Sequence, residues 1–162
     1  MTNSRQRVYL DANVIIAYLA DEAGRASVAA ALLEDAQRGN IELLTSVLSV
    51  TEVAFIASDH ASDASNADES AIEALWSPGS PIRLTDISIR IAERARSIIR
   101  TARSKGMRSV KPADAIHLAS AEIHGCERFF TYERQTTRTQ WDELVAPAIA
   151  EPFTDSPQLD LS

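Results

Sequence analysis

Four carboxylates stand where stability alone would not put them. Asp11 directly follows the β-type run Val8-Tyr9-Leu10, and Glu133 lies just past Arg128-Phe129-Phe130-Thr131. Glu52 and Asp114 interrupt apolar helical stretches, Val47 to Ala57 and Pro112 to Ala121. A buried carboxylate needs a partner, a hydrogen bond or a metal. The N-terminal dipole of a helix favours a negative charge by roughly 0.3–1 kcal/mol. That falls short of the several kcal/mol of burying an ion. Four acids converging on one crevice would repel each other, and a divalent cation removes that repulsion. Oxygen-only ligands select hard ions such as Mg²⁺ or Mn²⁺. Such a site can polarise a phosphodiester and generate hydroxide from bound water. Asp11, Glu52, Asp114 and Glu133 are therefore the candidate metal ligands and catalytic groups.

The elements that must position these acids follow from the patterning. Val8-Tyr9-Leu10 predicts a first strand, and Asn13 precedes a helix through Leu19 as its expected cap. Arg25 to Arg38 predicts a second helix with Gly39 as its stop. Short strands are expected at Glu42 to Thr45 and Ile82 to Leu84. The stretch from Val47 to Ala57 is apolar almost all round, which predicts a buried helix around Glu52. Asp59 to Glu69 is polar and reads as a loop or loose helix start. Ala71 to Trp76 reads as helix, and Ser77-Pro78-Gly79-Ser80-Pro81 breaks the chain. Ser88 to Lys105 predicts a long amphipathic helix, and Pro112 suits the first position of the next. Trp141 and Leu144 suggest a last short helix. Strands alternating with helices predict an α/β three-layer sandwich with a short, mostly parallel sheet. Carboxyl ends of parallel strands line a ligand crevice, and Asp11 and Glu133 lie at two of them. Residues 1–150 are expected to form one domain, with 151–162 an exposed C-terminal tail.

Composition narrows the classes. The chain has 162 residues, 45% of them hydrophobic, enough for one domain with a sizeable core. No apolar run reaches the ~18 residues of a membrane helix. The start, Met1 to Arg7, lacks the long apolar stretch of a signal peptide. Cys126 is the single cysteine, so no intrachain disulfide forms and a reducing, cytoplasmic setting fits. A net charge of −7 argues against a protein that coats nucleic acid generally. The charge is uneven: Arg83 to Lys111 holds nine basic and two acidic residues, +7, which leaves −14 on the remainder. Within that segment Arg96, Arg100 and Arg103 form a stripe at helical spacing. A solvated face and a phosphate-contacting ridge stand level as its explanation.

The ordered set of motifs resembles a known family. Val8-Tyr9-Leu10-Asp11-Ala12-Asn13-Val14, then Glu52 in an apolar helix, then Pro112-Ala113-Asp114-Ala115-Ile116-His117-Leu118-Ala119, then Phe129-Phe130-Thr131-Tyr132-Glu133 resembles the PIN-domain ribonucleases, in particular the toxins of VapC-type toxin–antitoxin pairs. The likeness runs from about Val8 to Trp141. It implies Mg²⁺-dependent (or Mn²⁺-dependent) cleavage of RNA, a homodimer, and an antitoxin that blocks the site. The family usually ends its acidic set with Asp two residues after a Thr or Ser; here that place holds Glu133. A Glu either reaches the metal, through water if need be, or turns away and leaves three acids.

Ordinary structural roles compete with these assignments. Asp11 could cap a turn, and Asp114 could serve only the helix dipole. Asn13 could be a plain N-cap or could orient Asp11, and Thr131 could be a strand-end hydroxyl or could position water or Glu133. His117 lies one turn after Asp114, but a di-iron site needs a second acid-x-x-His pair, and none is present, so a packed core role is expected. His60 and His124 have no motif around them, and zinc is disfavoured without a Cys/His cluster. A phosphoaspartyl phosphatase needs a second Asp where Asn13 stands. A receiver domain needs an acidic pair at the first strand and a Lys after the last; neither is present. The alternative from another class is a catalytically weak PIN-like module that binds RNA or protein.

Overall fold

The computed structural model describes residues 4–60 and 66–155. Five strands build one sheet: β1 (Gln6–Leu10), β2 (Ile41–Ser46), β3 (Ile82–Thr85), β4 (Arg128–Phe130) and β5 (Ala148–Ala150). All neighbouring pairs are parallel, in the order β3-β2-β1-β4-β5. Seven helices connect them among the described residues: α1 (Ala12–Leu19), α2 (Ala26–Gln37), α3 (Leu48–His60), α4 (Asn66–Trp76), α5 (Ile89–Ser104), α6 (Pro112–Ile123) and α7 (Gln135–Asp142). This is the α/β sandwich that the alternation of elements predicts.

The two-residue period of the strands divides the core in two. Tyr9, Leu44 and Phe129 point to one face, where they pack with Ile91, Ala95, Ile98, Leu118 and Trp141. Val8, Leu10, Leu43, Ile82 and Phe130 point to the other and meet Val14, Ile15, Leu32 and Val53. One core therefore binds α5, α6 and α7, and the other binds α1 to α4. The strands are buried on both faces, which is why β1 and β4 read as continuous apolar runs rather than alternating ones. Phe129 stacks on Tyr9 at 5.1 Å between ring centroids and meets Trp141 edge-on at 6.1 Å.

Two expectations need correction. The helix around Glu52 is not buried all round: Ser49 and Val53 are buried, but Thr51 and Ala54 are exposed and Phe55 is 68% exposed. α3 packs mainly on α1 and β2, and Thr51, Ala54 and Phe55 face outward from it. The cap of α1 is Asp11, not Asn13, because the Asp11 side chain accepts from the backbone N–H of Ala12. β5 was not anticipated; Ala-Ile-Ala is too short and weakly patterned to read as a strand. In the polar stretch 59–69, residues 59–60 end α3 and 66–69 open α4, while 61–65 lie outside the described residues, as does the tail beyond 155. Residues 151–155 are largely exposed, yet Phe153 lies 5.2 Å from Phe130 by ring centroid and Thr154 donates to Asp35.

Phe129→Ala is expected to destabilise the fold by about 3–5 kcal/mol, because it empties the centre of the larger core. Phe153→Ala, at the exposed margin, is expected to cost about 1 kcal/mol or less. Urea unfolding monitored by tryptophan fluorescence separates the two.

Candidate active site

β1 and β4 are neighbours, with Leu10 beside Phe130 in register. The next residue on each strand, Asp11 and Thr131, therefore emerges at the same carboxyl end. The Asp11 N–H donates to the Phe130 carbonyl at 3.0 Å. Thr131 Oγ1 donates to Asp11 Oδ2 at 2.8 Å, and the Ala12 N–H donates to Oδ1 at 2.8 Å. Asp11 is 7% exposed. Its carboxylate is thus buried with one hydrogen bond on each oxygen.

Asn13 sits in the first turn of α1 and supports this corner. Its Nδ2 donates to Thr131 Oγ1 at 3.1 Å, and its Oδ1 accepts from the Tyr132 N–H at 3.1 Å. The Glu133 N–H also donates to Thr131 Oγ1, at 3.2 Å. Thr131 is fully buried and joins Asp11, Asn13 and the backbone of Glu133, which makes it a positioning group rather than an idle strand-end hydroxyl.

Asp114 lies in the first turn of α6, where its Oδ2 accepts from the Lys111 N–H at 3.0 Å. Burial pushes the Asp114 carboxyl up to about 6, reinforced by the negative charges of Asp11 and Glu133 and opposed by the Lys111 hydrogen bond and His117. Asp11 is also shifted up, by burial first and by the charge of Glu52, against the pull of His117 and its own hydrogen bonds. Four carboxylates, Asp11, Glu52, Asp114 and Glu133, are thus linked by repulsion across this end of the sheet. Glu133 is half-buried, and its side chain makes no hydrogen bond or ion pair among the described residues.

Glu52 has a partner that its sequence setting did not disclose. Its Oε1 lies 2.5 Å from His117 Nε2. His117 is 1% exposed, and its Nδ1 lies 2.7 Å from the Tyr9 hydroxyl, which accepts from the Ser46 N–H at 2.9 Å. Burial lowers the affinity of His117 for a second proton, but the bond to Glu52 and the charges of Asp11, Glu52 and Asp114 outweigh it and raise its pKa. His117 is buried as expected but joins the polar site as well as the core. Tyr9 was missed altogether; the available signal was a hydroxyl-bearing residue two places before Asp11 on a strand otherwise apolar.

The donor set is all oxygen, which suits Mg²⁺ or Mn²⁺ and not zinc. Among the described residues no three His, Cys, Asp or Glu side chains are gathered closely enough to enclose an ion. That does not disqualify Mg²⁺, which keeps several waters and is held through one or two carboxylates. The raised Asp11 and Asp114, the first buried, the second half-buried, and mutually repelling, are what a cation at this point would relieve. The arrangement fits a water-rich divalent ion.

A PIN domain model matches residues 8–141. The chain belongs to the PIN domain family. The matched span begins just before Asp11 and runs past Glu133, so all four acids lie within it. No curated protein matches the chain by sequence. Solved structures with the same fold include VapBC2 from Rickettsia felis bound to a promoter DNA fragment, at 12% identity and TM-score 0.70, covering 90% of this chain and 98% of that one. DNA-bound VapBC from Salmonella typhimurium aligns at 17% identity and TM-score 0.65, over 90% of this chain and 98% of that one. FitAcB from Neisseria gonorrhoeae aligns at 18% identity and TM-score 0.65, over 90% and 97%. At these identities the likeness is one of fold.

The basic stripe lies elsewhere on the surface. Arg96, Arg100 and Arg103 are exposed on α5, and their side chains make no hydrogen bond or ion pair among the described residues. Arg94, on the inner side, pairs with Glu122 at 2.9 Å. That contact joins the beginning of α5 to the end of α6, so the helices run antiparallel and the Arg100–Arg103 end lies alongside the Asp114 end of α6. A separate cavity of about 310 Å³ opens beside Gln6, Asp35, Arg128 and Phe153, at the opposite ends of the strands from the acids.

The shifts at Asp11, Asp114 and His117 are all upward on folding, so each contributes stability at low pH and loses it as pH rises through the folded-state value. In excess chelator the protein is therefore expected to lose stability as pH rises from about 4 to about 6, the Asp114 window. Asp114→Asn should flatten that segment of the curve. Thermal unfolding across this pH range tests it; an unchanged slope in Asp114→Asn removes Asp114 from the coupled cluster.

Proposed function

We propose that this PIN domain is a metal-dependent endoribonuclease, with Mg²⁺ or Mn²⁺ as its cofactor, and the toxin of a VapC-type toxin–antitoxin pair. The observation that carries the reading is the mutual repulsion of acids at the β1–β4 end of the sheet, Asp114 with Asp11 and Glu133, and Asp11 with Glu52, with Asp11 and Asp114 both raised. Strand order reverses there, since the chain passes from β1 outward to β2 and β3 and then returns to β4 on the other side. Ligands of open parallel sheets bind at such a point.

In this reading Asp11, Glu52 and Asp114 hold the ion, and Glu133 adds charge from the rim. A bound divalent ion supplies Lewis acidity toward a phosphodiester and an acidified water. Thr131 and Asn13 keep the Asp11 carboxylate aimed. Arg96, Arg100 and Arg103 contact RNA phosphates without entering the chemistry. The solved neighbours, a toxin–antitoxin complex from Klebsiella pneumoniae among them, support an antitoxin partner for this chain; the same reading takes the protein as a homodimer in the cytoplasm. Among the described residues no helix is long and apolar enough to cross a membrane.

Cleavage of single-stranded RNA is expected with Mg²⁺ or Mn²⁺ and not in excess chelator. Asp11→Asn should lower it ~100-fold or more while leaving the fold intact, since the Lewis acid contributes several kcal/mol to the barrier. Metal-independent cleavage refutes the assignment. No cleavage under any condition, with RNA binding retained, favours the binding-module alternative. Glu133→Gln should reduce the rate less than Asp11→Asn and raise the metal concentration giving half-maximal rate. If it changes neither, the centre has three carboxylates.

Replacing Arg96, Arg100 and Arg103 together by Gln should weaken RNA binding and flatten its salt dependence by roughly one unit of log–log slope per lost phosphate contact. Binding measured at several salt concentrations with the Asp11→Asn protein reads this without cleavage. An unchanged slope makes the stripe a solvated face.

A further inference from the structure

We propose that Tyr9 and His117 form a positioning relay that fixes the direction of the Glu52 carboxylate, so that one of its oxygens is held inside the protein and the other is presented to the site. The proposal deepens the nuclease reading and rests on it only for the consequence at the metal.

The relay gives each hydrogen bond a direction. The Tyr9 hydroxyl accepts from the Ser46 N–H at 2.9 Å. The neighbouring Thr45 hydroxyl donates to the Leu10 carbonyl at 2.8 Å and lies 2.7 Å from Ser49 Oγ. The Thr45 hydroxyl also reaches the phenol, and the relay assigns the Tyr9 hydrogen to His117 Nδ1, 2.7 Å away. With Nδ1 occupied as an acceptor, the imidazole carries its hydrogen on Nε2, facing Glu52 Oε1 at 2.5 Å. A neutral imidazole could otherwise put its hydrogen on Nδ1 and turn a lone pair toward the carboxylate, which would repel it. Tyr9 forbids that arrangement.

Burial makes the relay stiff. Tyr9 is 0% and His117 1% exposed, whereas the Glu52 side chain is 32% exposed. The Tyr9 ring is held between Phe129, stacked at 5.1 Å, and His117, edge-on at 5.8 Å. The phenol burial drives its pKa far above the usual value, so the hydroxyl keeps its hydrogen at every working pH. Glu52 comes from α3, whose Phe55 is exposed, while His117 comes from the buried side of α6. The bond therefore ties a loosely covered helix to the rigid core at the residue whose aim matters. A histidine with a purely packing role requires neither a fixed hydrogen position nor a carboxylate partner.

The test compares the wild type with Tyr9→Phe, His117→Gln and His117→Leu, all checked for folding by thermal unfolding. ¹⁵N NMR of the imidazole in chelated protein should show Nε2 protonated in the wild type. In Tyr9→Phe, which keeps the ring stack, Nε2 should stay protonated against Glu52, while the Nδ1 resonance should shift to that of a ring nitrogen that has lost its hydrogen-bond donor. Mn²⁺ binding followed by electron paramagnetic resonance should weaken about 10-fold in His117→Leu, the usual scale for loss of a group that orients a ligand. His117→Gln, which retains an N–H donor, should recover part of that loss. In cleavage assays kcat should fall while KM for RNA stays unchanged. A wild-type Nε2 without a hydrogen overturns the proposal. So does Mn²⁺ affinity in folded His117→Leu equal to that of the wild type. A protonated Nε2, with an Nδ1 signal that shifts in Tyr9→Phe, in a protein that binds no Mn²⁺ and cleaves no RNA, leaves the relay standing and refutes the nuclease reading instead.

Discussion

The parallel pairing of β1 with β4 is the constraint on which the rest of the site depends. With Leu10 and Phe130 in register, the following residues cannot avoid each other, and Asp11 meets Thr131 at the end of the sheet. A one-residue slip would turn Tyr9 and Val8 to opposite cores and separate that pair. The same register thus fixes two cores and one polar corner. Both faces of the sheet are packed, so slipping is opposed on both sides at once.

Around this corner the molecule accumulates negative charge and manages it with neutral or weakly basic neighbours. Asp11 is held by a hydroxyl and a backbone N–H, Asp114 by a backbone N–H, and Glu52 by an imidazole. No Lys or Arg side chain pairs with any of these acids among the described residues. The arginines are spent elsewhere: Arg7 and Arg83 on Glu42, Arg94 on Glu122, Arg138 on Glu151. A basic side chain placed among the acids would satisfy them permanently and leave nothing for a cation to relieve. Folding therefore leaves an electrostatic deficit at one point, tolerated because the two cores supply stability.

The His117 bond to Glu52 shows how a carboxylate on an exposed element can still be aimed. α3 packs mainly on α1 and β2, and its Phe55 projects outward. Rigidity at Glu52 is borrowed from the opposite core through His117 and Tyr9, both anchored in the layer of α5 and α6.

The sequence by itself determined the alternation of strands and helices, the parallel sheet, and four candidate acids, because burial on both faces writes continuous apolar runs in which a charge stands out. Asp11, Glu52 and Asp114 were legible for that reason, and Glu133 from its place after β4. Only the tertiary structure decided which groups answer them. Asp11 rather than Asn13 caps α1, because the cap depends on backbone geometry at the strand end and not on residue type. His117 and Tyr9 join Glu52 across 65 and 43 residues of chain, and no local pattern records a hydrogen bond between residues that far apart. The exposed face of α3 was illegible for a related reason. An apolar helix reads as buried all round, but how much of it is covered depends on how many neighbours the fold brings to it.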